Sequence, residues 1–322
     1  MKKILAIILT AVFLLTFATA CGSGKEKIVI YSSAEDYREE WLREQLTTKF
    51  PEYDISIEHY KSGDHGARLL AEGVNSNCDI TYDLEYASAE KIKNSLADLT
   101  EFDSSEYLED LVSDTFFPEY RNGGSIIVNT KVLEERNLPE PTCYDDLLKA
   151  EYKGLISMPS PKSSGTGYIF LKNMVNVRGE DAAFKYFDEL SKNILQYTGS
   201  GSGPVSALVA KEAAVGLGIT GDAVKQINDG EPLKVLFFEE GSPFSMYGFG
   251  IIKGKETRES VKKVFEYINS EIIRGNNELF YPEQIFKDKA GSVPNYPQNI
   301  EYADMSNNTP AEKDRLLEKW TH

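Results

Sequence analysis

Short apolar runs alternate along this chain with longer stretches whose apolar residues recur at helical spacing. Residues 27–31, Lys-Ile-Val-Ile-Tyr, read as a strongly apolar strand. In 34–46, Tyr37, Trp41, Leu42 and Leu46 share one helical stripe, and Glu35 and Asp36 favour its N-terminus. Pro51 closes that unit. Residues 55–60 alternate apolar and polar as a second strand, and a polar turn from Lys61 to Gly66 leads into a helix through 67–71. Residues 78–84 make a third strand, followed by a helix near 87–96. This rhythm predicts an α/β fold with a parallel sheet covered on both faces.

The rhythm pauses at 125–129, an extended run behind Asn122, Gly123 and Gly124. It resumes with 144–148, the apolar strand 154–158, and a helix after Tyr168. A helix at 181–190 carries Phe184, Phe187 and Leu190 on one face. Further helices are predicted at 205–210, behind Asp222, at 259–268 and near 311–320, with strands at 214–219, 235–238 and 247–252. No repeat at solenoid period interrupts the pattern.

The first residues change the picture. Lys2 and Lys3, an apolar run over 4–20 and small residues before Cys21 form an export signal. Ala18-Thr19-Ala20-Cys21 resembles a bacterial lipobox with Ala18 in place of the usual Leu, and the Gly/Ser/Lys segment 22–27 suits a flexible tether. The expectation is removal of 1–20, lipidation of Cys21 and anchoring on the outer face of the cytoplasmic membrane or in the periplasm. What remains, about 300 residues, is enough for two α/β lobes in one monomer. The formal net charge is −16, and removing Lys2 and Lys3 makes it −18. Such acidity excludes nucleic acid as a partner, which needs a basic face. Cys78 and Cys143 read as two separate thiols.

Several strand-to-helix junctions are small and polar: Ser32-Ser33, Ser62-Gly63, Lys162–Gly167, Thr198–Gly203 and Thr220–Asp222. In open α/β sheets a ligand lies beyond the carboxyl ends of the strands, where such residues bring hydroxyls and free helix N–H groups to it. The stretch Ser163-Ser164-Gly165-Thr166 suits an anion, since the helix dipole adds to those donors. Tyr31-Ser32-Ser33, the run 161–168, 193–198, 212–216 and Glu239-Glu240-Gly241 resemble the extracellular solute-binding proteins of ABC importers. The branch resembled holds binders of ferric iron, sugar phosphates, 2-aminoethylphosphonate and thiamine.

The resemblance implies a type II periplasmic-binding-protein-like fold: two lobes, each a mostly parallel sheet flanked by helices, closing on a solute about hinge strands. The crossings are expected near 125–129 and 246–252. The first lobe would then hold 27–125 plus about 246–275, and the second 126–245 plus about 276–322. Partners implied are a small solute and an ABC permease with its ATPase. No cofactor is implied.

The iron branch holds its cation with an adjacent pair of cleft tyrosines, and none of the 18 tyrosines here adjoins another. Of His59, His65 and His322, only His65 is a cleft candidate. The sugar-phosphate branch pairs serine/glycine loops with a His-Asp pair and a Glu. Asp222 and Glu240 fit the latter two, but Gly221 stands where the His would be. A phosphate or phosphonate bearing an amine fits the residues best. Its anion would lie on Ser32, Ser33, Ser163, Ser164, Gly165, Thr166, Thr198, Ser200 and Ser202, and its ammonium on Asp222 or Glu240. The alternatives are a sugar phosphate, ferric iron, or thiamine and its phosphates, with Tyr168, Tyr197, Phe244 or Tyr247 stacking on a cationic ring.

Catalysis has little support. No Gly-x-Ser-x-Gly elbow occurs, and Gly254-Lys255 is followed by Glu256 rather than completing a phosphate-binding loop. A secreted hydrolase built on carboxylates such as Asp222 and Glu240 is the reading from another class. The chain is read as a non-enzyme.

Overall fold

The computed structural model describes residues 24–288 and 292–322, so the export signal and Cys21 lie outside the described residues. Strand β1 (Glu26–Ser32) pairs in parallel with β2 (Tyr53–His59) and β3 (Ile80–Glu85). Helices α1 (Asp36–Lys49) and α2 (Ser62–Glu72) make the connections, and α3 (Tyr86–Ile92) follows β3. Leu42 and Leu46 of α1 pack with Ile28 and Ile30 in the first lobe's core, as the helical stripe requires. Helix α2 starts at Ser62, so the turn expected from Lys61 to Gly66 is instead its first turn. Its His65 is buried there, with Nε2 3.0 Å from Thr81 Oγ1 on β3.

Strand β4 (Phe117–Asn129) serves both lobes. Its first half, Phe117 to Gly123, runs antiparallel to β9 (Phe244–Ile251), which in turn pairs antiparallel with β3. From Gly124 onward it runs antiparallel to β7 (Val215–Ile219), and from Ile126 also to β8 (Leu233–Leu236). The change of partner falls at Gly123-Gly124, where a Cβ on Gly124 would meet Phe170 Cζ at 2.9 Å and Pro243 Cγ at 3.2 Å. Ser242 donates to the Gly124 carbonyl at 2.8 Å, and Gly124 N–H donates to the Pro243 carbonyl at 2.7 Å. The outgoing and returning chains therefore cross side by side. The crossing lies just before the expected 125–129, and 246–251 belongs to the first lobe's sheet rather than to the crossing.

In the second lobe, α4 (Thr130–Glu135) is capped by Asn129, whose side chain accepts from Val132 N–H. Strand β5 (Ile156–Pro159) lies parallel to β6 (Ile194–Thr198) and to β7. Helices α5 (Gly165–Arg178), α6 (Glu180–Leu190), α7 (Gly203–Val209) and α8 (Thr220–Asn228) flank this sheet. Residues 144–148 form a 3₁₀ turn. The full strand order is β2-β1-β3-β9-β4-β7-β5-β6, with β8 on β4. Both lobes are thus mixed rather than mostly parallel sheets, because the crossing strands run against their neighbours.

The chain ends with α9 (Glu259–Tyr267), α10 (Ile273–Leu279) and α11 (Pro310–Lys319). The segment after 275, expected in the second lobe, stays with the first as far as Phe286. That ring stacks on Tyr107 at 5.0 Å, and Leu108 N–H donates to the Ile285 carbonyl at 2.9 Å. Helix α11 does join the second lobe, where Leu316 and Trp320 complete the core around Phe187 and Tyr168. It also pairs Asp314 with Lys91, at 2.6 Å, and Lys313 with Glu85, both on the first lobe. Cys78 is buried and Cys143 exposed, each a free thiol.

Trp320 is 1% exposed and meets Phe187 at 5.2 Å. Trp320→Ala is therefore expected to lower stability by about 3–5 kcal/mol, read as an earlier denaturant midpoint.

Candidate functional site

Where the lobes face each other they enclose a cavity of about 720 Å³. The ends of β1, β2 and β3 open into it from the first lobe, and the loops after β5, β6 and β7 from the second. The structure thus brings Ser33, Ser163, Ser164, Gly165, Thr166, Ser200, Ser202 and Asp222 to one cavity.

One end of the cavity is a cradle of small residues. Ser164 is the N-cap of α5 and accepts from Gly167 N–H at 3.5 Å, which presents the first-turn N–H groups to the cavity. The β6–α7 loop lies directly against this turn. A Cβ on Gly201 would meet Thr166 Oγ1 at 2.3 Å and Ile219 Cδ1 at 2.6 Å, so any larger residue there would push Thr166 or Ile219 out of place. Ser200 and Ser202 share a hydrogen bond at 3.0 Å. Lys61 reaches across from the first lobe: a Cβ on Gly199 would meet its Nζ at 3.0 Å. Lys61 and Lys225 line the cavity, whereas Lys162 beside the loop does not.

The other end is dominated by carboxylates. Arg38 is fully buried and donates to Glu35 at 2.8 Å, Asp83 at 2.7 Å, Glu119, and the Asn276 side-chain carbonyl at 2.9 Å. Its guanidinium is also covered by the rings of Tyr120 and Tyr281 at 4.4 and 5.0 Å. Asp222, on α8, faces this cluster. Its Oδ1 accepts from Tyr37 of α1 at 3.2 Å, while its buried Oδ2 has no protein partner. Burial, then the charge of Glu35, pushes the Asp222 carboxyl well above the usual carboxylate range. Burial likewise raises Asp83 and Glu119, against the pull of Arg38 on both.

Three expected site residues lie elsewhere. Ser32 is buried beneath the cavity, its Oγ accepting from Ala34 N–H at 3.1 Å, because strand alternation turns it away from Ser33. Thr198 braces the cradle from behind by donating to the Ser200 carbonyl at 2.9 Å. Glu240 points away from the cavity and pairs with Arg178 at 3.2 Å. His65 is not a cleft residue either. Burial lowers its pKa to about 3, and its neutral ring lies beneath Ser33. Of the four aromatics considered for stacking, only Tyr247 lines the cavity. Tyr168 donates to Asn308, Tyr197 packs on Trp320, and Phe244 packs on Tyr302.

Sequence reasoning passed over Glu35, Tyr37, Lys61 and Asp83, which also line the cavity. Glu35 was visible only as an acidic residue at a helix start. Asp83 sits at φ +55°, and its carbonyl accepts from the Ser33 hydroxyl. That left-handed kink is uncommon outside glycine and marks a constrained strand end, though an Asp inside an apolar run gave the only hint of it.

The chain belongs to the bacterial extracellular solute-binding proteins, whose family profile matches residues 79–305. An uncharacterized protein of Haemophilus influenzae is 27% identical over 327 residues, covering 93% of this chain and 91% of its own. Among solved structures, the periplasmic binding protein AfuA of Actinobacillus pleuropneumoniae, with fructose-6-phosphate bound, is 25% identical. It superposes with a TM-score of 0.81 over 92% of this chain and 98% of its own. The ferric binding protein of Campylobacter jejuni shares the fold at 19% identity, with a TM-score of 0.71 over 90% of this chain and 98% of its own. The protein is thus a non-catalytic solute-binding protein of the ABC importer class, and acts outside the cytoplasm. The hydrolase reading falls with that assignment.

The titrating groups fix a pH dependence for the ligand-free protein. Burial pushes Glu283 up to about 7, and Asp83, Glu119 and Asp222 are raised as well. A raised carboxyl takes its proton first in the folded chain, so stability grows as pH falls through the folded pKa. Neutral His65 acts oppositely below its ordinary value near 6.5, but it is one group against several. The melting temperature is expected to rise as pH falls from about 8 to about 5, in thermal scans at constant ionic strength.

Proposed function

We propose that this protein captures a small organophosphorus anion bearing an amine at its other end, such as 2-aminoethylphosphonate. The observation that carries the reading is Asp222, a carboxyl that lines the cavity and whose buried Oδ2 has no protein partner, in the same cavity as a cradle of hydroxyls and helix N–H groups. A phosphonate on the cradle would accept from Ser163, Ser164, Thr166, Ser200 and Ser202, with Ser33 and Lys61 contributing from the first lobe. An ammonium would donate to Asp222, supplying the hydrogen bond and the opposite charge that a buried carboxylate lacks.

The likeness to AfuA favours a second reading, a sugar phosphate whose hydroxyls donate to Asp222. The two differ in proton balance. An ammonium binds the ionised carboxylate and so expels the proton that burial favours, whereas a hydroxyl does not require its loss.

Calorimetry in buffers of different ionisation enthalpy tests both readings. At about pH 7.5, where the phosphoryl groups of both ligands are almost fully ionised, binding of 2-aminoethylphosphonate is expected to release more protons than binding of fructose 6-phosphate. Ser164→Ala combined with Thr166→Ala is expected to weaken either ligand by about a hundredfold, since each hydrogen bond to a charged group is worth about 1.5–3 kcal/mol. Unchanged affinity in that pair would remove the cradle.

We further propose that Cys21 carries the lipid anchor and that the loaded protein docks onto an ABC permease with its ATPase. Cys21→Ala is expected to shift the protein from the membrane fraction to the soluble fraction of fractionated cells.

A further inference from the structure

We propose that Glu35 and Asp222, facing the cavity from opposite lobes, form a two-carboxylate clamp that selects a ligand with a cationic end and couples its arrival to lobe closure. The inference rests on the organophosphorus reading above and adds the residue and the force that discriminate among such ligands.

Glu35 precedes the first turn of α1, where the helix dipole favours its charge. Its Oε2 accepts from Arg38 at 2.8 Å and its Oε1 from Tyr281 at 3.2 Å, so the carboxylate is held in one orientation at the cavity wall. Tyr37, two residues along, donates to Asp222 across the gap between the lobes. Closure therefore brings the second lobe's Asp222 toward the first lobe's Glu35, and burial together with the charge of Glu35 keeps Asp222 protonated while the cleft is empty. Asp83 lines the same wall.

The protein's own cations do not suffice to ionise Asp222. The Arg38 guanidinium is already shared among Glu35, Asp83, Glu119 and Asn276. Lys225, near Tyr37, lines the cavity too and its charge favours an ionised Asp222, but it is paired with Asp229 at 2.6 Å. Lys61 lies at the cradle end, against Gly199. Arg38 and the Asp229-paired Lys225 thus face Glu35, Asp83, Glu119 and Asp222, and Asp222 stays raised despite both. A ligand ammonium between Glu35 and Asp222 lets Asp222 give up its proton and is then attracted to one carboxylate on each lobe, at a site where low dielectric strengthens both attractions.

The test compares 2-aminoethylphosphonate with ethylphosphonate, which has the same carbon chain and phosphonate but no amine. Binding is measured by calorimetry and closure by small-angle scattering, in wild type, Glu35→Gln and Asp222→Asn. Glu35→Gln keeps an oxygen acceptor for Arg38 and Tyr281. Wild type is expected to prefer the amine by about tenfold or more and to contract only with it. In each variant the preference is expected to shrink by about tenfold, with ethylphosphonate affinity unchanged or higher. Equal losses for both compounds, or an undiminished preference in both variants, overturns the clamp and leaves the cradle standing. Should Glu35→Gln not fold, the same ratio in Asp222→Asn decides. Failure of wild type to bind either compound, or inorganic phosphate, overturns the organophosphorus reading and the clamp together.

Discussion

The cleft depends on one buried guanidinium. Arg38 draws Glu35 from its own helix, Asp83 from β3, Glu119 from β4 and Asn276 from α10 onto a single point, and Tyr120 and Tyr281 cover it. Burying so many ionisable groups costs free energy that their mutual attraction only partly returns. The arrangement gives up stability for position. Carboxylates that would repel one another in water are held at fixed places on the wall of the cavity. Removing Arg38 would leave them unpaired, which is more costly than never having buried them.

That constraint explains the division of labour in the cavity. Arg38 serves as an internal strut, fully spent on protein groups, so a ligand anion must be met by something else. The second lobe supplies it with neutral donors: hydroxyls, and the N–H groups at the start of α5. Glycines let the two second-lobe loops touch, as at Gly201 against Thr166. Net charge says nothing of this. A chain at −16 can still present a local anion site, because N–H groups and dipoles set the field at short range.

The sequence showed the second lobe's half of the site and little of the first lobe's. Ser163 to Thr166, Ser200 to Ser202 and Asp222 follow strands and lie just before or in the first turn of helices, and the βα rule for ligand sites applies to them directly. Glu35 and Tyr37 look like any acidic and apolar residues opening an amphipathic helix. Only the meeting of the lobes gives them a role. Glu240 shows the reverse case, since its neighbours suggested a cleft residue until Arg178, distant in sequence, proved to be its partner. The strands and most helices were legible from period. The antiparallel sense of β4 and β9 was not, because strand direction depends on which lobe the chain has entered.

Strand β1 starts at Glu26, whose carboxylate holds Arg258 and Ser260, and its far end delivers Ser33 to the cavity. Its seven residues span about 20 Å. A tether upstream of Glu26 therefore pulls on the end of the strand remote from the ligand, and on the first lobe only. An anchor at Cys21 would make the first lobe the fixed jaw, with the mouth of the cleft turned from the attachment point. The second lobe, carrying the anion cradle and Asp222, would be the jaw that swings.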